Sequence, residues 1–493
     1  MASSPDIKGT SRDTESPTSK ELAQSHDEPS YSPEEEKALL WKQDLRIIPL
    51  SAGIYFLCFL DRSNIGNAKI LNSSSGHDMQ TETHMSDHDF TIALMVFLVA
   101  YALFEVPSNV LLKKLRPSRW LAFLMFSWGA VTVGLGGAQN YATVAGVRFL
   151  LGVFEAGLFP GLVYYLTFWY RHDERSLRVA MVLASATLAG AFGGAIAYGV
   201  GHMNRVSGLS GWRWLFILEG IPSCLSAFFV WAFLPDYPEG AGWLTAKERD
   251  IARARLRDEG SQSGEGSMSW ADARATLTDW RLYGHYAVYF AVSTPFSSLS
   301  LFAPSIVSGL GFVDLQAQLM TVPPYAAAYG ESSRLHLVQI LVAWSADRTN
   351  ARGAHAAALA LLGAAGFIAS AVLPPTAYHA RYGGLIVGAS GAFACIPPLL
   401  GWLTSNVFST ASTGLAIALN VSIGAGIGQI PGVWVYKASE RKAGYPTGHW
   451  ANAALLLVVV VGCVGLRVYY GIANRRLVRE AERGGGEPRL FKL

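Results

Sequence analysis

The sequence predicts an all-α integral membrane protein of twelve transmembrane helices in two pseudo-symmetric six-helix bundles. Three observations carry that prediction. Of 493 residues, 51% are hydrophobic and only 15% charged, against about 25% charge in a soluble chain. Apolar runs of the roughly 20 residues that cross a bilayer as a helix recur along the chain, at 46–68, 90–112, 119–138, 142–168, 179–201, 213–234, 282–308, 316–345, 354–373, 382–404, 413–435 and 449–471. Basic turns at equivalent positions, KKLRPSR (113–119) after span 2 and SADRTNAR (345–352) after span 8, mark a duplication. Duplicated bundles of this kind place a substrate near the midplane between them. A net charge of +3 on 39 Lys and Arg offers no basic stripe for nucleic acid.

In chain order, residues 1–40 are Ser-, Pro- and Glu-rich, expected to be a disordered cytoplasmic tail and not a secretory signal. Residues 41–234 form the first bundle, 235–281 a cytoplasmic linker, 282–471 the second bundle and 472–493 a cytoplasmic tail. In the linker, Thr245 and Glu248 have capping-box spacing ahead of a short surface helix. Orientation follows from loop Lys and Arg. Lys113, Lys114, Arg116 and Arg119, then Arg171, Arg175 and Arg178, and finally Arg475, Arg476 and Arg479 put those loops and both termini in the cytoplasm. Lys437, Arg441 and Lys442 run locally against the rule.

In the first outer loop, Asn72-Ser73-Ser74 is a glycosylation sequon. HDMQTETHMSDHD (77–89) lacks fixed ligand spacing and reads as a hydrated loop, so no metal is expected. Cys58, Cys224, Cys395 and Cys463 stand singly inside apolar runs, which fits neither disulfides nor metal ligation. Gly190, Gly193 and Gly194 read as a close helix–helix seam.

Ionisable groups inside spans are costly and mark pathways or partners. Span 1 holds Asp61, Arg62, Asn64 and Asn67, span 2 holds Glu105, and span 4 holds Arg148 and Glu155. Seven residues at about 100° each return to one helix face, so Arg148, Gly152 and Glu155 are expected to face the cavity together, the charges roughly 10 Å apart along the axis. Two readings stay open for them, stations of a proton and anion pathway or ion pairs locking the bundle. Glu105, beside Pro107, is equally a cap for a bent helix. Spans 7, 10 and 11 carry no carboxylate, only Ser297, Ser298, Trp402, Asn406, Asn420 and Gln429. Of these, Trp402 and Asn406 are the foremost candidates for substrate contact. A neutral half facing a charged half suits an organic anion held by the first bundle.

FLDRSNIGNAKI (59–70), YALFEVPSNVLLKK (101–114), RFLLGVFEAGLFPGLVYYL (148–166), LAGAFGGAIAYG (188–199), GWRWLFILEGIPS (211–223), LPDYPEGAGWLTAKER (234–249), LMTVPPY (319–325) and WLTSNV (402–407) together resemble the fungal allantoate permease-like branch of the anion:cation symporter family, within the major facilitator superfamily. The resemblance implies the major facilitator fold and alternating access. It implies that Asp61 and Glu155 carry protons, that Arg62 and Arg148 manage the substrate carboxylate, and that Asp347, Arg348 and Arg352 gate the loop after span 8. Its substrates are carboxylated nutrients such as allantoate, nicotinate or pantothenate, with no cofactor.

Two departures stand out. The loop at 113–119 lacks an acidic gating residue, and span 8 carries Glu331, Arg334 and His336. That stretch is either a gene-model error at Gly330-Glu331-Ser332, whose codons can hold a 5′ splice signal, or a polar helix that is broken or bordered by water. The expected function is proton-coupled import of a small organic anion by a monomer in the plasma membrane. A non-transporting nutrient sensor on the same scaffold and a uniporter or exchanger are the alternatives.

Overall fold

The computed structural model describes residues 31–257, 270–312, 314–329 and 345–493, the last range without 347, 350, 408–409, 485–487 and 489. The membrane segments in chain order are α1 (Pro33–Ile70), α2 (Asp87–Lys114), α3 (Pro117–Leu135), α4 (Tyr141–Glu155 and Leu158–Leu166), α5 (His172–Gly201) and α6 (Gly211–Phe233). The second half follows with α7 (Trp280–Gly309), α8 (Asp314–Leu319 and Val322–Tyr329), α9 (Arg352–Val372), α10 (Tyr378–Ala394 and Ile396–Ser405), α11 (Thr410–Leu419 and Asn420–Ile427) and α12 (Pro446–Gly484). Among the described residues, nine helices are long and apolar enough to cross a membrane. The other three segments are α3, α8 and α11; α11 passes from α-helix into a π-helical stretch at Asn420. Phe228, Phe229, Trp231, Val461, Val464 and Val468 stand exposed on the outer surface, where only hydrocarbon solvates them favourably.

Residues 31–40 differ from the expected disordered tail. Ser32 and Glu35 close a capping box that starts α1 at Pro33, with Glu34, Glu35 and Glu36 in its first turn. Acid there complements the positive helix end, and it also receives the linker. Glu36 pairs with Arg171 at 2.9 Å and Arg255 at 2.7 Å, and Lys42 pairs with Glu248 at 2.8 Å. The linker helix Ala246–Arg257 forms as its capping box requires, Glu248 N donating to Thr245 Oγ1 at 3.3 Å and Thr245 N to Glu248 Oε2 at 2.7 Å. Burial pushes the Glu248 carboxyl up, and the Lys42 ammonium with the Thr245 cap outweighs it, leaving the group below its ordinary value.

The two bundles meet at both ends. At the end away from the termini, α5 lies on α8: a Cβ on Gly190 would stand 2.5 Å from the Tyr325 ring, and one on Gly194 2.7 Å from the Gln318 carbonyl oxygen. Gln318 Nε2 donates to the Asn67 carbonyl at 3.0 Å, tying α8 to α1. A Cβ on Gly66 would stand 3.2 Å from the Leu301 carbonyl carbon of α7. At the end bearing the termini, Val163 and Val179 of the first half meet Leu400 and Ile417 of the second. Among the described residues, the two bundles are therefore in contact at both ends.

The Gly66 contact leaves no room for a methyl group against a backbone carbonyl. Gly66→Ala is expected to hold the bundles apart at the far end. Measured as maleimide labelling of a cysteine placed at Gln318, buried here, the rate should rise severalfold in that background. An unchanged rate would mean that this contact does not set closure.

Candidate functional site

Asn140 starts α4 by accepting from Thr143 N at 2.9 Å, and the helix breaks after Glu155, where Gly157 adopts φ 76° against Ser108. A side chain at Gly157 would be strained by that φ and would strike the Ser108 side chain. Arg148, Gly152 and Glu155 share one buried face, as the 3.6-residue period predicts. That face looks onto α1 and α2 and not directly into the cavity. The reason is Gly152, whose missing side chain lets α4 approach the Phe97 carbonyl and Ala100 of α2.

The approach brings charges of α1 and α4 together against aromatic rings of α2. Arg62 of α1 donates from Nε to Glu155 Oε2 at 2.9 Å, and Cys58 Sγ donates to the same oxygen at 3.6 Å. The Arg62 guanidinium lies 4.6 Å from the Tyr101 ring centroid and 5.3 Å from that of Phe97. Arg148 lies 4.5 Å from the Phe97 centroid, and none of its guanidinium nitrogens has a hydrogen-bond partner among the described residues. One cation is thus paired, and its neighbour is buried against the Phe97 ring without a hydrogen-bond partner among the described residues.

In front of this cluster, between the bundles, lies a small cavity. Tyr55, Arg62, Tyr101, Phe159 and Leu183 line it from the first half. Tyr289, Ser293, Phe296, Ile396, Val421 and Gln429 line it from the second. Arg62 is therefore the cluster's member that reaches the cavity.

The remaining predicted residues fall elsewhere. Asp61 points the other way, into the first bundle, where Ser223 Oγ of α6 donates to it at 2.6 Å. Asn64 is buried without a hydrogen-bond partner among the described residues and does not line the cavity. Beside Asp61 sits Glu219, one turn before Ser223, with both carboxylate oxygens lacking a hydrogen-bond partner among the described residues. Sequence reasoning passed over Glu219, although a carboxylate inside the run 213–234 was the available signal. Glu105 is also buried, with neither oxygen partnered among the described residues. Tyr55, Tyr101 and Tyr289 were missed as well, since tyrosines inside apolar runs are indistinguishable from packing residues.

Trp402 and Asn406 lie away from the cavity, at the end bearing the termini, and grip the tail. Trp402 Nε1 donates to the Lys492 carbonyl at 2.8 Å. Asn406 donates to the same carbonyl at 3.1 Å and accepts from Lys492 N at 2.8 Å. Asn474 reads Phe491 in the same two-handed way, at 2.8 Å each.

Arg352 donates to the Gly401 carbonyl at 3.0 Å, joining α9 to α10 within one bundle, while Arg348 is exposed. Asp347, Glu331, Arg334 and His336 lie outside the described residues. Asn72 spends its amide nitrogen on the Gly201 carbonyl at 3.2 Å, part-buried, so this fold uses it for packing and does not present it freely to a glycan. Ser298 is bound to Asn452 at 2.9 Å inside the second bundle. Ser297 and Asn420 are buried there without hydrogen-bond partners among the described residues, and neither lines the cavity. No group of three or more potential metal ligands occurs among the described residues.

Comparison with known proteins agrees with this architecture. The sequence profile of the Major Facilitator Superfamily matches residues 52–433. The chain is 67% identical over 485 residues to the MFS transporter prlL of Fungal sp. (strain NRRL 50135), covering 98% of this chain and 96% of that one. It is 32% identical over 430 residues to a protein of Agrobacterium vitis provisionally named as a tartrate transporter, covering 86% and 90%. Among solved structures, a bacterial homolog of the human lysosomal transporter Spinster, inward-facing and unoccupied, superposes with a TM-score of 0.59 at 16% identity, covering 88% of this chain and 97% of that one.

Proposed function

Since the chain belongs to the major facilitator superfamily and is a membrane transporter, not an enzyme, we propose that it imports a small organic anion together with a proton, as in the anion:cation symporter branch that its sequence resembles. The observation that carries this reading is the position of Arg62, which faces the cavity while its Nε is held by Glu155 at 2.9 Å.

A carboxylate entering the cavity competes with Glu155 for Arg62. Releasing an ionised, fully buried Glu155 would strand a charge, at a cost of about 3–5 kcal/mol. A proton on Glu155 removes that cost, so anion and proton bind more readily together than either does alone. Arg148 supports the anion from behind, because a cation without a hydrogen-bonded partner keeps its field directed at the neighbouring site. Asp61, held by Ser223, is the second proton-carrying group. With the described parts of the two bundles in contact at both ends, this arrangement corresponds to the occluded step of alternating access, with both termini in the cytoplasm of a cell whose plasma membrane carries the protein as a monomer.

Uptake of labelled allantoate, nicotinate, pantothenate, biotin and a dipeptide, at outside pH 5 and pH 7.5 with and without an uncoupler, tests this. Symport gives uptake that rises in acid and collapses with the uncoupler. Uptake of an anion that ignores both would contradict it.

A further inference from the structure

The cavity divides its chemistry unevenly, and that division bears on cargo. Arg62 is the only charged group lining it among the described residues, and the Tyr55 and Tyr101 hydroxyls lie in the Arg62 field. Polar recognition is therefore gathered at one end. Across from it, the second bundle presents Phe296, Ile396 and Val421, with no cation. Ser293 already donates its hydroxyl to the Tyr289 carbonyl at 2.7 Å, which leaves the Gln429 amide and the Tyr289 hydroxyl as the polar groups of that side. Phe296 is fixed edge-on between Phe59, at 5.6 Å and 63°, and Phe393, at 5.1 Å and 66°, so the apolar wall is rigid.

We propose that the cargo is a monocarboxylate with a flat, largely apolar body, and that dicarboxylates are rejected. The proposal rests on the anion reading above and narrows it. One carboxylate satisfies Arg62, and Phe296 and Tyr289 offer aromatic surface for a ring to pack against. A second carboxylate would face Phe296, Ile396 and Val421, desolvated and without a cation, which is the arrangement that buried charge tolerates least.

The test is binding to the purified full chain in detergent at pH 6, by calorimetry, of benzoate, cinnamate, succinate, L-tartrate and the uncharged benzamide. Benzoate or cinnamate should bind at least about 100-fold more tightly than succinate or tartrate, the scale on which a site rejects a ligand that leaves a polar group unpaired. Phe296→Leu should reduce that preference at least about tenfold, with any dicarboxylate binding unchanged. Succinate or tartrate binding as tightly as benzoate would overturn this proposal and leave anion transport standing. Benzamide binding as tightly as benzoate, or no carboxylate binding at all, would overturn the anion reading itself and this proposal with it.

Discussion

Glu155→Gln is expected to abolish acid-driven accumulation while cargo exchange across the membrane continues. The amide is nearly isosteric with the carboxylate, so the close packing of α4 on α2 at Gly152 is undisturbed. What changes is the charge that holds Arg62 at 2.9 Å. With a neutral side chain there, Arg62 is available to an anion at every pH, and no proton need accompany it. One coupled proton makes each pH unit of gradient worth about 1.4 kcal/mol, or about tenfold in accumulation. Across pH 5 outside and pH 7.5 inside, the variant should lose nearly all of that ratio. Exchange of labelled for unlabelled cargo should stay within about threefold of the parent, since binding and reorientation need no proton. Normal acid-driven accumulation in Glu155→Gln would remove Glu155 from the coupling.

The second large effect is expected at Arg62. Arg62→Gln removes the only charge lining the cavity among the described residues and leaves Glu155 buried without its ion pair. Truncating one partner of a buried charge pair costs about 2–5 kcal/mol, so anion affinity should fall by about 100-fold or more. Arg62→Lys keeps the charge but loses the planar fork and the stacking on Tyr101 and Phe97, and about a tenfold loss is expected. Arg148→Gln should weaken binding less than Arg62→Gln, because Arg148 lies behind the cavity and acts through its field. Calorimetry on purified variants whose melting temperatures match the parent gives the ranking. Equal losses at both positions would place the anion against both guanidiniums, and no loss at Arg62 would move the anion site elsewhere.

The parts of this arrangement visible in the sequence are those set by local rules. Spans are legible because a bilayer demands long unbroken apolar helices, and the Thr245–Glu248 box is legible because its two bonds lie within three residues. The common face of Arg148, Gly152 and Glu155 is legible from helical periodicity. The direction of that face is not, because Phe97 and Ala100, about 50 residues earlier, set the rotation of α4 through Gly152.

Trp402 and Asn406 show the same limit. A polar and aromatic pair in an apolar run serves a substrate or a docked segment equally well, and their partner is Lys492, 90 and 86 residues away. The first turns of α1 read as a disordered tail because Ser, Pro and Glu serve both disorder and helix capping. Their partners Arg171, Lys247, Glu248 and Arg255 lie on distant parts of the chain.

The central claim is that an anion takes Arg62 from Glu155 and that Glu155 then takes a proton. Proton uptake on binding measures this directly: the purified protein in weakly buffered solution at pH 7, with a pH indicator, is mixed with saturating nicotinate. The account predicts about one proton taken up per anion bound by the parent, and none by Glu155→Gln. Anion binding by the parent with no proton taken up would contradict it.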